Sequence, residues 1–257
     1  MIVLDQFTLS TAPLSLYFND TALGQATGFI WKIGDKYYLV SNWHVFSGRD
    51  FFTMKNLRPD GGRPNKIETM FNIETGSFFK QPWTIHIRDK GDRPLWMVLP
   101  GARRVDIAVL PLEFPPGERI ITLYPLNVLA VAALRIEIGM DVFVLGYPFP
   151  IEPPAYPIWK RGSIASEPQL VGLSNDYMLV DTASRPGMSG APVIRKSWQN
   201  HLVEPGRQAY DDRPAVKFLG VYSGRLPVDH PHEAQIGLVW DKSFIDEIII
   251  GNKRDEE

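Results

Sequence analysis

The chain has 257 residues, 44% of them hydrophobic, with a formal charge of −2 and no cysteine. That length buries a real core, either as one large β or α/β unit or as two small ones packed together, and the lack of cysteine excludes a disulfide framework, thiolate chemistry and cysteine-based zinc sites. The 27 Lys and Arg are scattered, apart from pairs such as Arg103-Arg104 and Lys253-Arg254, so the clustered basic face that a nucleic acid demands is missing.

The N-terminal stretch MIVLDQFTLSTAPLSLYFND has no basic start followed by an apolar core and a small-residue cleavage site, and so does not read as a secretory signal. No run approaches the 18 or so apolar residues that would span a bilayer, IDEIIIG near the end being too short. The expectation is a soluble cytoplasmic protein with no membrane partner.

In chain order, 22 prolines and 21 glycines punctuate short β-branched or aromatic runs: GFIWKI, KYYLVSN, PWTIHIR, LWMVLP, DIAVLPL, DVFVLGYP, MLVDTA, APVIR, VKFLGVYSG and IGLVW. Many short strands with closely spaced turn residues predict an all-β barrel or sandwich. TGFIWKI and KYYLVSN flank Gly34-Asp35 as a hairpin that brings NWHV to the end of a strand. FTMKNLRPDGGRPNKIETM reads as a long surface excursion. The double proline in LEFPPGERIITLYPLNVLA marks a crossover. The expected layout is an N-terminal barrel over residues 1–112, a linker over 113–134, and a C-terminal barrel over 135–257. KSFIDEIII closes the chain as a helix on the second half, with Phe244, Ile245, Ile248 and Ile249 on one face and Ser243 as N-cap.

The stretch with most chemical content is RPGMSGAP, Arg185 to Pro192. Glycines around Ser189 relax the backbone so that successive N–H groups converge on one point, as an anion-binding nest requires; Gly-x-Ser-Gly also occurs in ordinary turns. A serine hydroxyl needs a neighbouring base, most often histidine. Of five histidines, His44 in YLVSNWHV is one that a rigid element can aim, a core histidine hydrogen-bonded to backbone being the alternative. His86 lies in a strand pattern and His201 in a polar segment, while His230 and His232 with Asp229 or Glu233 offer a metal-chelating alternative to simple solvation. The base needs an orienting carboxylate, and Asp106 at the mouth of DIAVLPL is the candidate, with Arg103 or Arg104 as alternative partners for its charge.

Taken in the order His44, Asp106, Ser189, these segments resemble the trypsin/chymotrypsin-like serine peptidases, and most of all the bacterial trypsin-like branch that includes the HtrA (Deg) group. NWHV stands for the family's AxHV, DIAV for its DIAL, and GMSGAP for its GNSGGP or GDSGGP. ATGFIW, VLGYP, RGSIAS, FLGVYSG and IGLVWD extend the resemblance from about residue 22 to 250. It implies a double barrel of two six-stranded-type antiparallel units with a short C-terminal helix. It also implies a serine endopeptidase with no cofactor and no metal, cleaving protein or peptide through an acyl-enzyme. Ser189 is then the nucleophile, His44 the general base and Asp106 its orienting group, with the N–H groups of Gly187 and Ser189 as oxyanion hole.

By the same matching Ala183 and Ser184 lie at the base of the specificity pocket, Gly237 and Val239 in its walls, and Ser223, Gly224 and Arg225 on the strand that pairs with substrate. An uncharged base at Ala183 implies medium apolar side chains; Arg225 either shields the entrance, attracts an acidic side chain or points to solvent. Met188 stands where zymogen-type members have aspartate, so a new N-terminus at Ile2-Val3 has no partner, and Ala191 adds a methyl where the family has glycine. Two further readings compete. One is a latent or inactive binding or regulatory module whose oxyanion loop is ordered by an activating partner protein. The other is an α/β-hydrolase esterase, which the order of residues disfavours because Ser189 comes last.

Overall fold

The structure, a computed structural model, describes residues 4–73, 79–114, 121–149, 156–173, 176–183, 185–204, 206–225 and 235–256. The N-terminal half contains α1 (Gln6–Ser10), β1 (Thr11–Phe18), β2 (Thr21–Ile33), β3 (Lys36–Ser41), α2 (Trp43–Ser47), β4 (Lys66–Asn72), β5 (Lys80–His86), β6 (Met97–Val98) and β7 (Ala108–Leu112). A short α3 (Leu126–Leu129) follows, then β8 (Asp141–Gly146), β9 (Ile158–Ile164), β10 (Tyr177–Asp181), β11 (Pro192–Glu204), β12 (Arg207–Arg225) and β13 (Ile236–Asp241). The chain closes with α4 (Ser243–Gly251) and β14 (Lys253–Arg254).

The fold is mostly antiparallel β. The first unit is an eight-stranded sheet in the order β14-β6-β7-β3-β2-β1-β4-β5, and the second is a closed six-stranded barrel in the order β10-β13-β12-β11-β8-β9. The β2–β3 hairpin turns at Gly34-Asp35, Gly34 taking a φ of 57° that glycine adopts without steric cost. β1 escapes a sequence reading because Pro13 interrupts it, yet its alternation is that of a half-buried strand, with Leu14 and Leu16 inward and Pro13 opposite Thr27. The predicted surface excursion ends earlier than expected, since its last residues, KIETM, enter β4.

Each unit has its own core. Leu14, Ile30, Leu39, Phe46, Ile67 and Trp96 fill the first, and Val142, Val144, Ile164, Val180, Val193 and Leu219 the second. A third cluster joins them: Phe29 and Trp31 of β2 meet Phe218 of β12 at ring separations of 5.5 and 5.4 Å. This seam is where the site lies.

The C-terminal helix buries the four residues expected of it, Phe244, Ile245, Ile248 and Ile249. Two of its features differ from expectation. Lys242 stands at the cap position and Ser243 is the first helical residue, its N–H donating to Asp241 Oδ1 at 2.8 Å. The helix also packs on β6 and β7 of the first sheet, its buried side chains sharing one cluster with Phe218, Val221 and Trp240 of the second half. On the sheet, Met97 and Val109 offer the apolar surface, and Trp31 Nε1–H donates to Asp246 Oδ1 at 2.9 Å. The chain then returns to the first sheet through β14, where Asp255 Oδ2 accepts from the indoles of Trp43 and Trp96 at 2.7 and 3.1 Å.

Ile248→Ala is expected to cost about 2–5 kcal/mol in denaturant unfolding, since its side chain is fully buried in the joint cluster. Ile250→Ala, at a position 79% exposed on the same helix, is expected to stay within about 0.5 kcal/mol of wild type.

Candidate active site

β3 ends at Ser41, and Asn42 then takes an extended conformation (φ −79°, ψ 152°) before α2. His44 therefore sits in the first turn of a short helix, not at the end of the strand as the sequence suggested. Gly48, at φ 71°, stops that helix and returns its N–H to the His44 carbonyl at 3.1 Å.

Asp106 lies just before β7 with its side chain 1% exposed. A carboxylate so far from water stays charged only if donors replace the lost hydration. Three do: the His44 backbone N–H donates to Oδ1 at 2.9 Å, His44 Nδ1 lies 2.6 Å from Oδ2, and the Ser223 hydroxyl also donates to Oδ2. Asn42 Nδ2 donates to the Asp106 carbonyl at 2.7 Å. The arginines are occupied elsewhere, Arg103 with Asp176 and Arg104 over the rings of Trp43 and Phe51.

With Nδ1 bonded to Asp106, Nε2 is the ring nitrogen left for proton exchange. Burial works against a charged His44, but the Asp106 charge, the hydrogen bond to it and the more distant charge of Asp50 outweigh burial and hold the His44 pKa above its ordinary 6.5. His44 and Ser189 line one cavity of about 220 Å³, with Leu23, Ala26, Leu57 and Pro64 among its apolar walls.

Ser189 is carried by a loop whose backbone is tightly specified. Arg185 to Met188 form a turn closed by Met188 N–H donating to the Arg185 carbonyl at 3.2 Å, with Pro186 second and Gly187, at φ 91°, third. This is the arrangement of a type II turn, which needs positive φ at its third residue. Gly190 is also at positive φ, 82°, and a Cβ there would overlap the Thr27 carbonyl oxygen.

Thr27 of β2 holds this loop. It is fully buried; its N–H donates to the Ser189 carbonyl at 2.8 Å and its hydroxyl to the Gly187 carbonyl at 2.7 Å, while the same Oγ1 accepts from Tyr147 N–H at 3.0 Å. The N–H groups of Met188, Gly190 and Ala191 are spent on the carbonyls of Arg185, Tyr222 and Met188. Those of Gly187 and Ser189 donate to no acceptor among the described residues. Two unspent donors thus flank Met188, one of them on the serine itself.

The structure brings His44, Gly187 and Ser189 to one cavity, and both His44 and Ser223 to Asp106, the Ser223 side chain turning to that carboxylate. Gly224, at φ 87°, lies beside the nucleophile, a Cβ built on it falling 3.9 Å from Ser189 Oγ. Ala183 is half-buried just beyond β10, and Gly237 and Val239 are buried on β13. Arg225 pairs through its backbone with Gly237. Its side chain, Ser184, Ile2-Val3 and the alternative metal group of Asp229, His230, His232 and Glu233 lie outside the described residues. Met188 and Ala191 are buried in the barrel core, while His86 is exposed and His201 is buried beside Ser197. Thr27, Asn42 and the Asp106 contact of Ser223 escaped the sequence reading; the one local signal was a threonine inside the apolar run ATGFIW.

Among the described residues no helix is long and apolar enough to cross a membrane. A family model described as trypsin-like peptidase domain matches residues 26–201, a span holding His44, Asp106 and Ser189. No curated protein matches the chain. Among solved structures it is similar to the HtrA-type protease AlgW with tripeptide, at 14% identity and a TM-score of 0.50, over 95% of this chain and 60% of that one. The chain thus spans less than two thirds of that protein, and the likeness is one of fold, chymotrypsin-like double β. Further similar structures are the Rv3671c protease from M. tuberculosis in its active form (18% identity, TM-score 0.49, 97% of this chain and 83% of that one) and the serine endoprotease from Yersinia pestis (14%, 0.48, 96% and 65%).

Followed by NMR, the His44 ring is expected to titrate above pH 6.5, and Asp106→Asn to lower that midpoint because burial then acts unopposed by the charge. Since the folded value is the raised one, the stability contributed by protonated His44 is fully present below pH 6.5 and is lost as pH rises through the folded midpoint. An unchanged midpoint in Asp106→Asn would rule out the ion pair as its cause.

Proposed function

The chain belongs to the trypsin-like peptidase family, and on that footing we propose that it is a serine endopeptidase that hydrolyses protein or peptide bonds through an acyl-enzyme. The observation that carries the reading is the pair of unspent N–H groups at Gly187 and Ser189, on the loop that shares a cavity with a His44 already bonded to Asp106.

Ser189 Oγ attacks the carbonyl carbon of the scissile bond while His44 Nε2 takes its proton. The negative charge that forms on the carbonyl oxygen is met by the Gly187 and Ser189 N–H groups, donors that need no reorganisation and are worth about a hundredfold to a thousandfold in turnover each. His44 Nε2–H then protonates the departing amine as the C–N bond breaks, leaving an ester on Ser189. Water, deprotonated by His44, attacks that ester; the acid product leaves and Ser189 recovers its proton. Asp106 stays ionised throughout, fixing the tautomer with Nδ1–H toward it and stabilising the imidazolium. No metal or cofactor enters any step.

A latent module with a collapsed loop would turn the Pro186 carbonyl, which shares a peptide plane with the Gly187 N–H, toward the position an oxyanion takes. Here that peptide is the centre of the Arg185–Met188 turn with Gly187 at φ 91°, and the next peptide is anchored by the Thr27 hydroxyl, which supports a loop already set for catalysis without an ordering partner.

Wild type is expected to take up one fluorophosphonate adduct by intact mass, and Ser189→Ala none. Peptide turnover is expected to fall by about 10⁴-fold or more in Ser189→Ala and His44→Ala. Because the base acts in its neutral form, kcat/KM should rise with pH through a midpoint above 6.5. Turnover retained in Ser189→Ala would remove Ser189 from the chemistry.

A further inference from the structure

Successive side chains of a strand point to opposite faces. On β12 the Ser223 hydroxyl turns to Asp106, and Tyr222 goes the other way, into the closed barrel, where it is 1% exposed. Its backbone lies opposite Val239 of β13. Its phenol end lies on Gly237: a Cβ built there would come within 2.8 Å of the Tyr222 hydroxyl oxygen and 2.9 Å of Cζ. Gly237 is therefore glycine because the ring occupies the space above it.

Gly237 and Val239 are the positions that the family resemblance assigns to the walls of the pocket for the side chain on the acyl side of the cut bond. An open pocket leaves its walls accessible to water, yet Val239 is 0% exposed and Gly237 is buried. The base expected at Ala183 adjoins the same spot, since Val180 pairs with Gly237 and Thr182 N–H donates to the Gln235 carbonyl. Tyr222 thus covers Gly237 with its ring, taking the space over the wall against which a medium apolar side chain was expected to rest.

Resting on the peptidase reading above, we propose that Tyr222 fills this pocket and restricts cleavage to bonds after glycine, alanine or serine. Larger side chains would have to displace a packed aromatic ring from a filled core. The expectation of medium apolar residues, drawn from the uncharged Ala183, is replaced by one set by Tyr222.

Three probes separate the possibilities: an alkyl fluorophosphonate, which needs no pocket, and two peptidyl diphenyl phosphonates that differ only in carrying Ala or Phe beside the phosphorus. Wild type is expected to react with the alkyl probe and to prefer the Ala probe over the Phe probe by at least about a hundredfold. Tyr222→Val should narrow that ratio by about tenfold or more, and Tyr222→Phe, which keeps the ring, should hold it. Alkyl labelling of Tyr222→Val also verifies that the variant folds, and the wild-type ratio stands without it. Equal reactivity of wild type with the Ala and Phe probes would overturn the plug while leaving the peptidase reading intact. Failure of the alkyl probe on folded wild type would overturn the peptidase reading, and this inference with it.

Discussion

A buried carboxylate is the constraint on which the site depends. Asp106 has almost no contact with water, and an uncompensated charge in that position would cost several kcal/mol. Its donors come from two sources: His44 on α2, next to the first sheet, and Ser223 on β12 of the closed barrel. Satisfying one charge thus fixes the histidine and docks the barrel strand that leads to Gly224, beside Ser189. Because the same charge also raises the His44 pKa, the assembly of the site and the basicity of its histidine have one cause.

Thr27 does for the nucleophile loop, with neutral groups, what Asp106 does for the histidine. It belongs to the first sheet, but its partners Gly187, Ser189 and Tyr147 belong to the second unit. Holding the carbonyls on either side of Met188 to one residue fixes the peptide between them, which carries the Ser189 N–H. Gly187 and Gly190 are needed because their backbones take positive φ and pass too close to Tyr147 and Thr27 for a side chain. On the reading proposed, chemistry and selectivity meet on adjacent residues of β12: Ser223 faces the Asp106 carboxylate, and Tyr222 faces the pocket.

What was legible in the sequence was local. The turn at Gly34-Asp35, the apolar stripe of α4 and the strand runs follow from periodicity and turn chemistry, and the three segments around His44, Asp106 and Ser189 carry enough local pattern to be matched to a family. What was hidden depends on residues far apart in the chain. Nothing near Thr27 announces that its hydroxyl meets Gly187, 160 residues away, or that Ser223 meets Asp106 across 117 residues. The placement of α4 on the first sheet is likewise tertiary, decided by Trp31, Met97 and Val109. Tyr222 reads in sequence as one more strand aromatic, and only its contact with Gly237 gives it a further meaning.

The most direct test of the central claim, that the site holds a serine activated for acyl transfer, is the pre-steady-state reaction with p-nitrophenyl acetate, with the quenched protein digested and mapped by mass. An activated Ser189 gives a burst of one nitrophenolate per chain and a single acetyl group on the peptide containing Ser189, with the burst rate rising with pH through a midpoint above 6.5. Folded protein that gives no burst, or an acetyl group on any other residue, would contradict that claim.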